Sequence, residues 1–105
     1  MLKVKNMIST RSGRVVANQF DITSGEAGII SEYAFQSYRS LCASLKRTES
    51  GLYRLTIYRD GFYSRTTAKY LRAWLNDHIN PERVPDVLKA AKEAINAGAD
   101  MWEAE

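Results

Sequence analysis

The densest group of side chains that could do chemistry lies between residues 58 and 72. It combines aromatic rings, which can stack on nucleobases, with cations, which can meet phosphates. A helix beginning at Thr66 or Thr67 would add exposed backbone amides that favour an anion. The pattern therefore predicts nucleic-acid or anion binding by Arg59, Tyr63, Arg65, Thr66, Lys69 and Arg72, with Tyr58, Phe62 and Tyr70 in the same cluster.

The same residues also fit a purely structural interpretation. Phe62 and Tyr70 would then belong to the core, Thr66 would only cap the helix, and the cations would be a solvated rim. The sequence contains neither an RNP-like motif nor helix-turn-helix spacing that would decide between the two interpretations.

Catalysis is not expected, because the usual catalytic groups are scarce. The single histidine, His78, lies near a predicted helix end, where interaction with carbonyls is common. The single cysteine, Cys42, stands among apolar residues and is predicted to be a small buried core residue. Residues 25–28 lack the lysine and hydroxyl of a phosphate-binding loop. We therefore expect no enzyme activity, no metal and no cofactor.

The acidic C-terminal part offers a second candidate surface. Glu93 and Asp100 could present phosphate-like charge to a partner, and Trp102 could anchor a partner protein or a second copy of the chain. The alternatives are that the acids form a solvated outer face and that Trp102 packs at the edge of the sheet.

Length and composition fit one globular domain, residues 1–105. Of its 105 residues, 45% are hydrophobic and 26% are charged. No apolar run approaches the ~18 residues of a membrane span, and the N-terminus alternates polar and apolar residues instead of forming a signal block. We therefore expect a cytoplasmic protein without a membrane partner.

Charge is distributed unevenly along the chain. Residues 1–72 carry twelve Lys or Arg against five Asp or Glu, a net of +7, whereas residues 73–105 carry three against seven, a net of −4. A basic half can attract nucleic acid or an acidic protein surface. The charge alone does not choose between these partners.

Alternation of polar and apolar residues predicts four strands before residue 60. The turn Arg11-Ser12-Gly13 should join the first two as an antiparallel pair. The predicted same-face residues are Leu2, Val4 and Ile8 in the first strand, Val16, Phe20 and Ile22 in the second (residues 14–23), Ile29, Tyr33 and Phe35 in the third, and Tyr53, Leu55 and Ile57 in the fourth.

Helical spacing predicts up to three helices. Ser37 should cap a short one carrying Tyr38, Leu41, Cys42 and Leu45. A second helix should start at Thr66 or Thr67 and end at Asn80-Pro81. It should pack on the sheet through one apolar stripe, which consists of Tyr70, Leu71, Trp74, Leu75 and Ile79. A third, with Pro85 in its first turn, should carry Val84, Val87, Leu88, Ala91, Ile95 and Trp102, with fraying at residues 101–105. The predicted fold class is α+β: a small antiparallel sheet of about four strands with two to three helices on one face.

Two blocks of the sequence resemble a family of small bacteriophage and prophage proteins of unknown function. They are Phe35-Gln36-Ser37-Tyr38 with Ser40, and residues 63–70 (YSRTTAKY) with Trp74-Leu75; residues 4–6 and 16–20 are similar to the same family's N-terminal hairpin. The resemblance covers most of residues 1–76, and residues 81–105 form a helical extension beyond it.

The resemblance implies a phage or mobile-element origin and no catalytic residue. Small phage proteins of this kind often bind a host or defence component, as anti-CRISPR proteins do. The first hypothesis is therefore a non-catalytic inhibitor or modulator of a host macromolecular complex, and a homodimer is possible. The alternative is a nucleic-acid-binding accessory protein that uses residues 58–72.

Overall fold

A computed structural model of the protein describes residues 1–9 and 11–104. It contains a six-stranded sheet with strand order β1-β2-β3-β4-β5-β6, in which every neighbouring pair is antiparallel. The strands are β1 (Leu2–Ile8), β2 (Val15–Glu26), β3 (Ile29–Ser37), β4 (Ser40–Arg47), β5 (Tyr53–Tyr58) and β6 (Met101–Ala104). The helices are α1 (Arg65–His78) and α2 (Val84–Asn96), each preceded by a short 3-10 turn at Arg59–Phe62 or Pro81–Arg83.

The described residues thus confirm the α+β class and the antiparallel sheet, but with six strands and two α-helices instead of about four strands and up to three helices. Both helices contribute to one core against the sheet. The inner face of the sheet supplies Phe35, Ala43, Leu45, Leu55 and Ile57, and the helices supply Tyr70, Leu71, Trp74, Leu75, Val84, Val87, Leu88 and Ala91.

The prediction of a helix after Ser37 is wrong. β3 ends at Ser37, Tyr38 and Arg39 form a two-residue connection, and β4 begins at Ser40. β4 is a central strand, and a register shift opposite Phe35 and Gln36 interrupts its alternation at Cys42. Residues 42–45 are consequently all buried. A central strand with a neighbouring strand on each side can bury a continuous run of small and apolar residues, which matches helical spacing by coincidence.

The predicted inner face of β1 is also wrong, and that of β2 is wrong for Phe20 and Ile22, although Val16 packs against the core. Met7 joins the core, whereas Leu2 and Val4 are 68% and 56% exposed. In β2 the buried residues are Gln19 and Asp21, and Phe20 and Ile22 alternate with them. The inner face accommodates Asp21 because α1 supplies hydrogen-bond donors to its carboxylate, whereas Gln19 Oε1 is buried without a hydrogen-bond partner in the described residues. Period-2 alternation separates two faces of a strand, but it does not say which face is covered.

The C-terminal residues form a strand instead of fraying. α2 ends at Asn96, and Gly98 adopts a φ of +107°, a left-handed conformation that suits glycine at a helix end. The chain then pairs β6 with β5, with Trp102 opposite Ile57. Trp102 therefore belongs to the sheet and not to the last helix. Glu105 lies outside the described residues.

Candidate functional site

The start of α1 is fixed by hydroxyl groups. Ser64, not Thr66 or Thr67, is the N-cap, and its Oγ accepts a hydrogen bond from the backbone N–H of Thr67 at 3.1 Å. The Thr67 hydroxyl is buried and lies 2.9 Å from Ser37 Oγ at the end of β3. This contact fixes the first turn of α1 against the β3–β4 connection, and Thr66 remains exposed.

Five exposed cations form what we call the basic helical surface. Arg65, Lys69 and Arg72 are spaced i, i+4 and i+7 on α1 and therefore share one side of that helix. Lys89 and Lys92 lie on α2, and with Arg72 they line an interhelical groove of about 370 Å³. The other residues that line this groove are Phe62, Ala68, Pro85 and Leu88, so none of its lining residues is acidic.

The cations of the basic helical surface are unpaired. Within residues 1–9 and 11–104, none of the five has a carboxylate oxygen within 4.0 Å. Lys69 Nζ lies 5.4 Å from the centroid of the Tyr70 ring, which is a cation–π contact and leaves its charge uncompensated. The positive charge of this surface is therefore available to an external anion.

The predicted binding residues do not all lie on this surface. Arg65, Lys69 and Arg72 do, but the Arg59 guanidinium makes an ion pair with Asp100 at 2.7 Å. Tyr63 and Thr66 line a different cavity. Lys89 and Lys92 were missing from the sequence-based set. Their i, i+3 spacing on a predicted helix was a usable signal, but only the packing of α2 beside α1 brings them to Arg72.

A second cavity, which we call the tyrosine cleft, has a volume of about 1050 Å³. Three separate stretches of chain line it: Asn18 and Phe20 of β2, residues 37–40 at the β3–β4 connection, and Asp60, Tyr63, Ser64, Thr66 and Thr67 around the start of α1. Each stretch lies within residues 2–89, the part of the chain that precedes the end of α2. Residues far apart in the sequence thus meet in one place.

The backbone of the tyrosine cleft is conformationally unusual. Tyr38 and Asn18 have φ angles of +55° and +64°, the left-handed region that non-glycine residues seldom adopt. The backbone N–H of Tyr38 donates to the carbonyl oxygen of Asn18 at 2.6 Å and so joins the two residues. The connection holds the Tyr38 side chain at the surface, where it is 56% exposed.

The sheet face opposite the helices is partly apolar. The row Val4, Ile22, Ala34, Ser44 and Thr56 crosses five strands in register, and Glu103 of β6 ends it. Leu2, Leu41 and Met101 extend this face, with 68%, 42% and 44% exposure. We call it the outer sheet face, and no helix in the described part of the chain covers it.

The predicted acidic contact residues are dispersed. Glu93 is exposed on α2, and the charge of Asp100 is compensated by Arg59. Trp102 is half-buried and packs against the core. Their binding role stays a prediction, although the structure does not gather them into one exposed acidic surface.

His78 packs into a buried polar cluster. Its Nε2 donates to the Asp21 carboxylate at 3.2 and 3.3 Å, and its ring lies 4.6 Å from that of Tyr33 and 4.8 Å from that of Trp74. The Trp74 indole also donates to Asp21, at 3.1 Å. Among residues 1–9 and 11–104, no group of three or more His, Cys, Asp or Glu side chains is placed to hold a metal ion.

The fold and these surfaces define a small α+β protein with an antiparallel sheet, a groove between its two helices and a cleft at the start of α1. The chain belongs to a protein family of unknown function (DUF8033), whose family model matches residues 2–89. The match reaches into α2 and therefore includes four of the five cations of the basic helical surface, while Lys92 lies beyond it. Searches of curated proteins and of solved structures found no significant match. No helix in the described residues is both long and apolar enough to cross a membrane.

Proposed function

We propose that the protein is a non-catalytic nucleic-acid-binding accessory protein that contacts phosphates through the basic helical surface. The observation that carries the proposal is the absence of any carboxylate partner for Arg65, Lys69, Arg72, Lys89 and Lys92 in the described residues. Cations clustered on one side and free of internal ion pairs can neutralise several phosphates at once and release their counterions.

The placement of the acidic residues supports the same choice. The Arg59–Asp100 pair compensates the charge of Asp100, and none of the acids of α2 lines the groove between the helices. An approaching polyanion therefore meets positive charge along α1 and the adjoining side of α2. The residues that line the groove also include Phe62 and Leu88, which give it an apolar floor.

The test is a fluorescence-anisotropy titration of labelled single-stranded RNA, single-stranded DNA and duplex DNA at several salt concentrations. The variant removes three cations, Arg72→Gln with Lys89→Gln and Lys92→Gln. The matched control removes three exposed cations elsewhere, Arg11→Gln with Arg14→Gln and Arg47→Gln, so that both proteins have the same net charge.

We expect the wild type and the control to bind alike, and the groove variant to bind more weakly. The slope of log affinity against log salt should fall by about 2 for a single strand, since each lost phosphate contact removes roughly 0.7. Equal affinity of variant and control would show that only net charge matters and would refute the proposed surface. Absence of binding at low salt would refute the function.

A second candidate function is binding and inhibition or modulation of a host macromolecular complex by a phage or mobile-element protein of the counter-defence type. The outer sheet face supports it, because Leu2, Val4, Leu41 and Met101 present apolar surface that no described element covers. Apolar patches of this kind often bind other proteins. For either function we propose the cytoplasm of a bacterial host as the site of action.

The two candidates can be separated with variants of the outer sheet face. Val4→Glu combined with Leu41→Glu should abolish capture of a host protein complex from lysate, whereas Leu52→Glu, at a residue that is 61% exposed outside the strands, should preserve it. Nucleic-acid affinity should be unchanged in both. If the variant of the outer sheet face loses self-association in sedimentation experiments but still captures the same host proteins, the partner of this face is a second copy of the chain.

A further inference from the structure

The tyrosine cleft contains two aromatic rings that have no partner. Tyr63 is 78% exposed and Tyr38 is 56% exposed. In the part of the chain that the structure describes, neither ring stacks on another ring and neither hydroxyl makes a hydrogen bond. Both side chains line the same cavity of about 1050 Å³. Tyrosine rings in this position offer flat surfaces on which another planar group can stack.

The polar groups of the cleft are mixed in charge. Arg39 and the exposed hydroxyl of Thr66 can donate hydrogen bonds, and the Asp60 carboxylate can only accept them. No ion pair in the described residues involves Asp60 or Arg39. A carboxylate disfavours a phosphate but accepts a hydrogen bond from an exocyclic amino group. The lining therefore fits a planar ring with both donors and acceptors at its edge better than it fits a bare anion.

The cleft and the basic helical surface meet along the chain at the first turn of α1. Arg65 stands between two lining residues, Ser64 and Thr66, at the first residue of α1. From there the cations Lys69 and Arg72 follow the helix for about 10 Å, given its rise per residue. A strand whose phosphates lie along α1 would therefore bring a base to the mouth of the cleft.

We propose that the tyrosine cleft holds an unpaired nucleobase, stacked on Tyr63 and Tyr38, while the phosphates of the same strand lie on the basic helical surface. The inference rests on the proposed nucleic-acid binding and adds that the ligand is single-stranded. A base in a duplex is stacked and paired, so its faces are closed to the cleft. Amino-bearing bases, which can donate to Asp60, are the preferred occupants.

The test compares a single strand of about 12 nucleotides with a strand of equal length and charge whose residues are abasic. The variants are Tyr63→Leu, which removes the aromatic face, and Tyr63→Phe, which keeps it. Tyr63 is exposed, so neither change should disturb folding, and thermal unfolding monitored by circular dichroism checks this directly.

We expect the wild type and Tyr63→Phe to bind the base-bearing strand roughly 5- to 100-fold more tightly than the abasic strand. Tyr63→Leu should lose most of this preference and bind both strands with the affinity that the wild type has for the abasic strand. Its affinity for duplex should be unchanged. An equal effect of Tyr63→Leu on both strands, or no preference in the wild type, would overturn the assignment of the cleft.

The groove variant Arg72→Gln with Lys89→Gln and Lys92→Gln separates the two proposals. If it weakens binding while Tyr63→Leu does not, phosphate binding stands and the base site is refuted. If no strand binds at low salt, both are refuted. Competition by adenosine monophosphate that is no stronger than by inorganic phosphate would identify a strand as the source of the base. Stronger competition would identify a free nucleotide as the occupant and overturn the strand assignment.

Discussion

Trp74 and Asp21 are 53 residues apart in the sequence, and the Trp74 indole N–H donates to the Asp21 carboxylate at 3.1 Å in the interior. The same carboxylate accepts from His78 Nε2 and lies 3.8 Å from Lys5 Nζ. Two hydrogen-bond donors of α1 and one cation of β1 thus converge on one acid of β2. A buried carboxylate is tolerated only when it is paired and hydrogen-bonded, so this cluster fixes the position of α1 on the sheet.

Removal of one donor should be costly. Trp74→Phe keeps most of the buried ring but leaves Asp21 with one hydrogen bond fewer, and we expect the free energy of unfolding to fall by about 2–3 kcal/mol. Trp102→Phe is the matched control, because no hydrogen bond of the Trp102 indole occurs in the described residues, and it should cost less than about 1 kcal/mol. Urea unfolding of both variants checks the difference, and equal losses would contradict the role of the Asp21 bond.

Stability should decline in acid because of the same carboxylate. Burial by itself would raise the pKa of Asp21, but the hydrogen bond and charge of His78, the Trp74 indole and the Lys5 charge together hold that pKa below its ordinary value of 3.8. The folded state therefore binds fewer protons than the unfolded state. The contribution is fully present above the ordinary aspartate pKa and is lost as the pH falls through the lowered value.

The acid effect can be isolated with Asp21→Asn, which cannot titrate. The wild type should lose stability more steeply than this variant between about pH 5 and pH 2, as measured by urea unfolding at each pH. Parallel curves would show that the acid sensitivity comes from other carboxylates.

The thiol of Cys42 should be inert in the folded protein. Burial raises its pKa to about 11, and its Sγ donates to the carbonyl oxygen of Ser40 at 3.4 Å. Since the thiolate is the reactive form, alkylation at pH 8 should be slow under native conditions and fast in denaturant. Mass spectrometry after a timed reaction with iodoacetamide measures both rates. Rapid alkylation of the native protein would show that the β4 bulge opens readily.

The start of α1 should depend on Ser64 and not on the neighbouring threonine. Ser64→Ala removes the acceptor of the Thr67 N–H and should destabilise the protein by about 1 kcal/mol. Ser64→Asp keeps an acceptor and should restore most of that loss. Thr66→Ala, at an exposed hydroxyl, should change stability by less than about 0.5 kcal/mol. The order of the three midpoints in thermal unfolding decides the assignment of the cap.

The local sequence pattern was sufficient where apolar residues repeat at the period of the element. The alternation of apolar residues at Tyr53, Leu55 and Ile57 predicted β5, although Thr56 between them is buried as well, and the stripe from Tyr70 to Leu75 predicted the buried side of α1. The same reasoning failed for β4, in which residues 42–45 are all buried, and for β6, which is only four residues long.

The candidate site was predictable only in part. The cations of α1 and the exposed Tyr63 could be found from residue type and spacing, and so could the burial of Cys42. The pairing of Arg59 with Asp100 could not, because it needs β6 to lie beside β5. The contribution of Lys89 and Lys92 likewise depends on how α2 packs against α1.

The sequence by itself determined the uneven charge, the α+β composition, the apolar stripes of both helices and the scarcity of catalytic groups, since these follow from residue type and short-range spacing. Only the tertiary structure decided which face of β1 and β2 is covered, that Asp21 meets Trp74 and His78, and that Asn18, Tyr38 and Tyr63 line one cleft. Those relationships depend on contacts between residues 20 to 57 positions apart, and no local periodicity encodes such contacts.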